Sequence, residues 1–197
     1  TMVAVDDLYR PYRPKRRTRA MIAREKGLEP LAERIAAQEL GRPALEEAAD
    51  FVSEERGVAD AAEALAGAMD ILAEQISDNA VYRTYIRRIT TDQGQLQAAA
   101  KDAAKPSVYE TYYQYQEPVR KCVGHRILAL NRGEAEKYLT VKVLAPEESI
   151  LKYLDKQIVT KENPFTAPVL REAAEDSYRR LIAPAIEREI RGSLTEK

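Results

Sequence analysis

The sequence predicts a mostly α-helical protein, an assembly of several helices with one minor two-stranded β element. Alanine and glutamate are abundant and favour helices, whereas glycine occurs only eight times in 197 residues. Apolar residues recur at steps of three and four along most of the chain, as they do on the buried face of a helix. Only residues 138–144 have the alternating β-branched and aromatic pattern of a good strand.

Residues 1–93 are expected to form an N-terminal helical region. Thr18 is placed to cap a helix from Arg19 to Lys26, and Gly27 is placed to end it. Further helices are predicted at 29–39, 43–51, 58–77 and 80–90.

Residues 94–165 are expected to form a small α+β region. The alanines of residues 94–105 favour a helix, but residues 95–98 alternate as in a strand. The strand at 138–144 needs a partner, and the weak segment 95–101 is the best candidate to pair with it. Later in the region, Asn131-Arg132-Gly133 admits either a helix or a hairpin. Helices are predicted at 125–137 and 146–158.

A tyrosine-rich segment lies in the middle of this region. Pro106 is expected to begin a helix and Pro118 to limit it, which places three tyrosines on one helical face. Such a cluster suits a stacking platform for bases, but it is also typical of a packing face with hydrated hydroxyl groups. The three tyrosines are Tyr109, Tyr112 and Tyr113.

Residues 166–197 are expected to form a long C-terminal helix. Pro184 should kink or break this helix, because proline lacks an N–H group and its ring clashes with the preceding turn. Beyond Pro184, Ile186 and Ile190 form an apolar face without an evident partner. We therefore expect the end of the helix to be poorly anchored.

A cationic segment at residues 10–19 is the strongest indication of function. Six of its ten residues are Arg or Lys, and none is acidic. Residues 1–19 carry a net charge of +4, whereas residues 20–197 carry −5. Such asymmetry is typical of proteins with a polyanionic partner, most often nucleic acid. The candidate contact residues are Arg10, Tyr12, Arg13, Lys15, Arg16, Arg17 and Arg19.

The same segment admits other interpretations. The arginines offer planar forks for phosphate oxygens, and Tyr12 lies among the charges, where it can stack on an unpaired base. Many basic runs, however, are solvated tails or neutralise an acidic neighbour in the same chain. Pro11-Tyr12-Arg13-Pro14 followed by Lys15 also fits a PxxP ligand.

A second cationic group is predicted on the helix at 80–90. Arg83, Arg87 and Arg88 stand at helical spacing close to two tyrosines and have no acidic neighbours in sequence. We expect this group to be a second contact surface for nucleic acid. An ordinary exposed helix face gives the same pattern.

The residue types needed for catalysis are scarce. His125 is the only histidine and Cys122 the only cysteine, so the chain lacks the residues of a structural zinc site. It contains neither a Gly-x-Ser-x-Gly turn nor a glycine-rich phosphate-binding loop. Acidic pairs such as Glu46-Glu47 are adjacent in sequence and point in different directions on a helix. We therefore expect no enzymatic activity, no metal and no cofactor.

The composition also bears on the environment of the protein. A lone cysteine cannot form a disulfide within the chain, which fits a reducing cytoplasm. No apolar run approaches the roughly 18 residues that a membrane span needs, so no membrane partner is expected.

A set of short stretches runs in order through nearly the whole chain and is similar to one protein family. The stretches are 6–20, 22–32, 51–52, 57–61, 64–65, 71–74, Glu117-Pro118-Val119, His125-Arg126, 128–134 and 180–184. Together they resemble the Tex family of bacterial transcription accessory proteins.

The resemblance implies that the chain is an internal piece of the helical N-terminal half of a protein several times longer. It implies a helix-turn-helix-like part within this half. It also implies downstream domains, to which the helix at 166–197 would lead: a nuclease-like domain of RNase H type, helix-hairpin-helix elements and an OB-fold RNA-binding domain. A related eukaryotic elongation factor shares this architecture.

Two functions fit these observations. The first is a non-enzymatic module of a Tex-like protein that contacts the backbone of RNA or DNA weakly, salt-sensitively and without sequence preference. The second is a helical scaffold that positions the downstream domains and docks on the transcription machinery. The basic side chains of residues 10–19 separate the two, because pairing with Asp or Glu of the same chain would favour the scaffold.

Overall fold

A computed structural model describes residues 17–196, and this part of the chain is mostly helical with a small antiparallel sheet. The helices are α1 (Arg19–Glu25), α2 (Glu29–Ala36), α3 (Ala44–Ala49), α4 (Ala61–Ser77), α5 (Ala80–Gln93), α6 (Gly124–Ala135), α7 (Glu147–Ile158), α8 (Ala167–Asp176) and α9 (Ala183–Thr195). The strands are β1 (Gln95–Ala100), β2 (Gln114–Pro118) and β3 (Leu139–Leu144). The predicted mostly α fold class is confirmed.

The chain groups into two compact units, each built from two separate stretches. Among the described residues, the first unit contains 17–83 and Leu151–Ala183, and the second contains Thr84–Ile150 and 184–196. These units differ from the three consecutive regions that the sequence analysis expects, because the chain leaves the first unit after Arg83 and returns to it at Leu151.

Helix α4 is the centre of the first unit, where α1, α2, α3 and α8 all pack against it. Its alanine-rich faces let these neighbours approach closely. At Gly67 a β-carbon would lie 2.4 Å from Cδ1 of Leu28, so only glycine fits this contact without a shift. The larger buried side chains of this core are Leu28, Leu31, Ile35, Val58, Ile71, Leu72 and Leu170.

The helix ends in the first unit follow from local hydrogen-bonding groups. Thr18 Oγ1 accepts a hydrogen bond from the Met21 N–H at 3.1 Å, which confirms the predicted cap of α1. Gly27 follows α1 with a φ of 76°, a conformation that favours glycine. The helix predicted at 58–77 begins three residues later than expected, at Ala61, because Asp60 caps it by accepting from the Glu63 N–H at 2.8 Å.

The second unit contains a three-stranded antiparallel sheet in the order β2–β1–β3. The predicted pairing of 95–101 with 138–144 is confirmed, with Ala98 opposite Val141. The prediction of only two strands is wrong, because β2 adds a third, with Gln97 opposite Gln116. Helix α6 packs against β3.

The helix predicted between Pro106 and Pro118 is wrong. Its second half alternates polar and less polar residues, and this alternation pairs with β1 as strand β2. The three tyrosines consequently do not share a helical face. Tyr109 is buried against the Tyr138 ring, with the ring centroids 5.7 Å apart, whereas Tyr112 meets Tyr115 edge to face.

The helix predicted to kink or break at Pro184 does not break there, but its regular α geometry is interrupted just before the proline. The turn before it, Ser177–Ile182, is a π-helix, and the Ala183 N–H donates to the carbonyl of Tyr178 five residues earlier. This wider turn accommodates a proline ring that would clash with the carbonyl four residues back in a regular α-helix.

The prediction that α9 is poorly anchored is also wrong. Ile186, Ile190 and Leu194 are all buried. Glu187 accepts a hydrogen bond from the Val143 N–H at 2.7 Å, and Arg191 donates to the Val141 carbonyl at 3.1 Å. Two charged side chains of α9 therefore satisfy the outer edge of β3, which would otherwise present unpaired backbone groups.

Two glycines of the second unit give a paired test of the packing. At Gly133 a β-carbon would lie 2.5 Å from Cδ1 of Leu139, so we expect Gly133→Ala to destabilise the protein by about 2 kcal/mol. At Gly192, within α9, nothing lies within 4 Å, and Gly192→Ala should stabilise by about 0.5–1 kcal/mol. Thermal unfolding of both variants measures the two signs. An unchanged midpoint in Gly133→Ala would contradict the close contact with Leu139.

Candidate nucleic-acid interface

The cationic segment reaches the described part of the chain only at its end. Arg17 and Arg19 flank the capping residue Thr18, whose hydroxyl also donates to Glu74 Oε2 at 2.9 Å. This bond joins the start of α1 to the long helix α4. The remaining predicted contact residues, Arg10, Tyr12, Arg13, Lys15 and Arg16, lie outside the described residues.

The two described arginines of the segment face carboxylates of the same chain. Arg17 forms an exposed ion pair with Glu25 at 2.7 Å. Arg19 is exposed and interacts electrostatically with Asp70. Burial raises the pKa of Asp70, and the positive charges of Arg180 and Arg19 oppose that rise. The end of the segment is therefore partly neutralised by its own protein.

The cations that follow on α1 are neutralised in the same way. Arg24 donates to Glu74 at 2.9 Å, and Lys26 donates to Glu63 at 2.9 Å. The hydrogen bond from Lys26 lowers the pKa of Glu63. The positive charges of α1 therefore hold it against α4.

A small cleft of about 180 Å³ lies between α1 and α4, directly after the cationic segment. Its floor is apolar, and its rim carries two cations and two carboxylates. The residues that define it are Arg19, Ile22, Lys26, Glu63, Gly67 and Asp70. The cleft has no net charge, because the carboxylates balance the cations.

The second predicted group does not form one surface. Arg83 is buried, with 2% of its surface exposed, and its Nε donates to the Ser77 carbonyl. Arg87 pairs with Glu189 at 2.8 Å. Only Arg88 is exposed, and its guanidinium lies 5.6 Å from the centre of the Tyr85 ring. The helical spacing places Arg83 on the inward face of α5, so the exposed part of the group is Arg88.

The acidic charge of the chain is concentrated in the first unit, which the sequence alone does not show because each unit combines two separate stretches. Residues 84–150 and 184–197, which make up the second unit, carry 13 basic and 11 acidic side chains, a net charge of +2. Residues 1–83 and 151–183 carry 18 basic and 21 acidic side chains, a net charge of −3 even though residues 10–19 are cationic. Exposed cations of the second unit include Arg120, Lys121, Arg132 and Lys142.

Residues 17–196 contain neither a cluster of metal ligands nor a helix suited to a membrane. No cluster of three or more His, Cys, Asp or Glu side chains in this range is arranged to hold a metal ion. Among the helices described there, none is both long and apolar enough to cross a membrane.

Comparison with known proteins identifies the family. Residues 41–197 match the family described as Tex central region-like. The chain belongs to the Tex family.

Its Tex-family relatives are much longer proteins. The "Uncharacterized protein YdcI" of Bacillus subtilis is 47% identical over 98% of this chain and 27% of that protein. "Protein tex" of Bordetella pertussis is 41% identical over 73% of this chain and 18% of that protein. "S1 RNA-binding domain-containing protein 1" of Pongo abelii is 28% identical over 99% of this chain and 21% of that protein. The chain thus spans about a quarter or less of the length of these relatives.

The Tex-like stretches at residues 117–134 carry structural contacts of the second unit. Glu117 and Arg126 form an ion pair at 3.3 Å. Burial, reinforced by the carboxylate of Glu117, raises the pKa of Tyr115 to about 12. In the same stretch Glu134 pairs with Arg191 at 2.7 Å. These Tex-like residues therefore hold the sheet and its helices together.

Proposed function

We propose that this chain is a non-enzymatic, nucleic-acid-contacting module of a Tex-family transcription accessory protein. The observation that carries the proposal is the cationic segment 10–19, with six basic and no acidic side chains on a chain whose net charge is −1. Such a segment binds the phosphate backbone of RNA or DNA without reading the sequence.

The names of two relatives support a role in transcription and in contact with nucleic acid. One relative is called "Transcriptional accessory protein Tex" and another is named for an S1 RNA-binding domain. We propose that this chain works beside such a domain, in the cytoplasm, and adds a weak backbone contact of its own. Helices α1 and α2, joined through Gly27, are the pair that we propose as the helix-turn-helix-like part.

Replacement of three cations tests the proposal. We expect Lys15, Arg16 and Arg17, changed together to Ala, to remove most of the binding to a fluorescein-labelled single strand. Two or three phosphate contacts give the parent a log–log salt slope of about −1.4 to −2, and the variant should lose most of this slope. Fluorescence anisotropy measures the affinity and the salt slope between about 25 and 200 mM salt. Over this range the Debye length falls from about 20 Å to about 7 Å.

A matched control removes the same charge elsewhere. Lys156, Arg179 and Arg188 are exposed, and their joint change to Ala should leave binding nearly unchanged. Circular dichroism should show the same helix content in both triple variants. If the Lys15/Arg16/Arg17 variant binds as tightly as the parent, the segment is not the contact.

A second candidate function is a helical scaffold that positions downstream domains and docks on the transcription machinery. The ion pairs of Arg17, Arg24 and Lys26 with carboxylates of the same chain favour it, because these cations already have partners. Unfolding of α1 in the triple Ala variant, seen as lost amide-exchange protection at Ile22 and Lys26, whose N–H groups donate within the helix, would favour this candidate over the first.

A further inference from the structure

Two of the three rows on one face of the sheet in the second unit are open, polar and free of acidic residues, whereas the third row, Pro118–Gln95–Leu144, is half-buried and less polar. Because the side chains of a strand alternate between faces, the pairing of the strands aligns this face in rows. The middle row is Gln116–Gln97–Lys142, and the next row is Gln114–Ala99–Thr140. The rows are about 7 Å apart along the strands, and neighbouring strands are about 4.8 Å apart.

The exposure of the two rows differs from that of the opposite face. Gln116, Lys142, Gln114 and Thr140 are exposed, and Gln97 is half-buried. The opposite face is packed, with Leu96, Ala98, Leu139 and Val141 all buried. The open face is therefore held by a rigid core.

We propose that this open face binds single-stranded nucleic acid, with Lys142 on a phosphate and the amides of Gln97 and Gln116 on base edges. The inference rests on the proposed function, since it adds a second contact surface to the cationic segment. It places this surface in the second unit, where the net charge is +2.

The chemistry of the two rows favours a nucleic acid over a protein partner. An amide presents both a donor and an acceptor, which suits the edges of unpaired bases. Lysine suits a phosphate, and the two rows themselves contain no Asp or Glu that would repel the strand. The carboxylate beside Lys142, that of Glu187, accepts from the Val143 N–H at the edge of β3. The rows contain no large apolar side chain, whereas the centre of a protein interface is enriched in aromatic residues and Met.

Cations next to the face extend the favourable charge. Arg120 and Lys121 are exposed and come directly after β2. Lys101 is exposed and comes directly after β1. The exposed Asp102 balances Lys101, so a strand that crosses the rows would meet positive charge at Arg120 and Lys121 as well as at Lys142.

The first test removes the charge at the centre of the face. Binding of labelled 12-nucleotide oligo(U) and oligo(dT) is measured by anisotropy with the whole chain at 50 mM salt. One phosphate contact adds about 0.7 to the slope of log affinity against log salt concentration. Over the roughly 1.3 decades between 1 M and 50 mM salt this amounts to a factor of about eight, so we expect Lys142→Gln to weaken binding roughly eightfold. The control is Lys156→Gln, an exposed lysine on α7 in the other unit, which should change nothing. If Lys142→Gln weakens binding to oligo(U) alone, the site binds RNA. If it weakens binding to both oligonucleotides equally, the site binds either nucleic acid.

A second pair of variants keeps the test independent of folding. Gln116→Arg adds a cation to the middle row and should tighten binding by a similar roughly eightfold factor. Gln97→Glu adds an anion there and should weaken it, whereas Gln157→Glu, at an exposed position of α7, should not. Unchanged binding in Lys142→Gln and Gln116→Arg, with both variants folded, would overturn the inference.

The combined outcomes separate this inference from the proposed function. If the Lys15/Arg16/Arg17 variant loses binding but Lys142→Gln does not, only the inference about the sheet surface is overturned. Loss with Lys142→Gln but not with the triple variant overturns only the role of the segment. A parent chain that binds neither oligonucleotide at 50 mM salt overturns both.

Discussion

Replacing Arg191 with Ala is expected to destabilise the protein by about 3 kcal/mol. Its guanidinium donates to Glu134 at 2.7 Å, to Asn131 at 3.0 Å and to the Val141 carbonyl at 3.1 Å. The side chain is 21% exposed, so these bonds are partly shielded from water. The variant leaves a carboxylate and a backbone carbonyl of the edge strand without a protein partner, and charged hydrogen bonds cost about 1.5–3 kcal/mol each to lose.

The measurement is the midpoint of thermal unfolding, which should fall by roughly 6–12 °C for a protein of this size. The control is Arg188→Ala, an exposed arginine on the same helix, which should cost less than about 0.5 kcal/mol. Amide exchange should also quicken along β3 and α9 in the Arg191 variant alone. Equal midpoints for the two variants would show that α9 is held by its apolar face and not by this arginine.

The sequence alone predicts most of the helices of the fold. Thr18, Gly27 and Pro43 act locally, through caps and fixed backbone angles, and their effects need no knowledge of the tertiary structure. The strand pairing of 95–101 with 138–144 also follows, because a single good strand requires a partner.

Strand β2 and the anchoring of α9 could not be predicted in this way. Residues 114–118 alternate weakly and end in Pro118, so only pairing with β1 makes them a strand. The face of Ile186 and Ile190 is covered by residues distant in sequence, and the π turn before Pro184 depends on the surrounding helix. Tertiary contacts decided each of these cases.

Some features of the candidate site likewise follow from the sequence, whereas others depend on the tertiary structure. The charge of segment 10–19 is a property of composition, so the sequence reveals it fully. The pairing of Arg17 with Glu25 and the burial of Arg83 depend on which helix faces meet. The acid-free rows around Lys142 need the register of three strands, two of which are weak in sequence.

Replacing Gln38 with Ala is expected to cost about 3 kcal/mol and to loosen the chain where it returns to the first unit. The Gln38 amide nitrogen donates to the Ile158 carbonyl and to Thr160 Oγ1, at 3.1 and 3.0 Å. Its oxygen accepts from the N–H groups of Thr160 and Lys161, at 3.0 and 3.1 Å. All four polar positions of this buried amide are therefore used, and each bond contributes about 1 kcal/mol.

Gln38 also has a φ of 58°, in the left-handed region that non-glycine residues adopt at a cost of roughly 1–2 kcal/mol. Gln38→Gly loses the same four hydrogen bonds as Gln38→Ala but removes this strain. We therefore expect the Gly variant to be about 1 kcal/mol more stable than the Ala variant, although both are less stable than the parent. Gln157→Ala, an exposed glutamine on α7, removes the same atoms at a cost below about 0.5 kcal/mol. Thermal unfolding of the three variants separates the backbone strain from the hydrogen bonds. Equal midpoints for Gln38→Ala and Gln38→Gly would mean that the strain does not affect stability. A Gln38→Ala midpoint equal to that of Gln157→Ala would mean that the amide does not hold the returning chain.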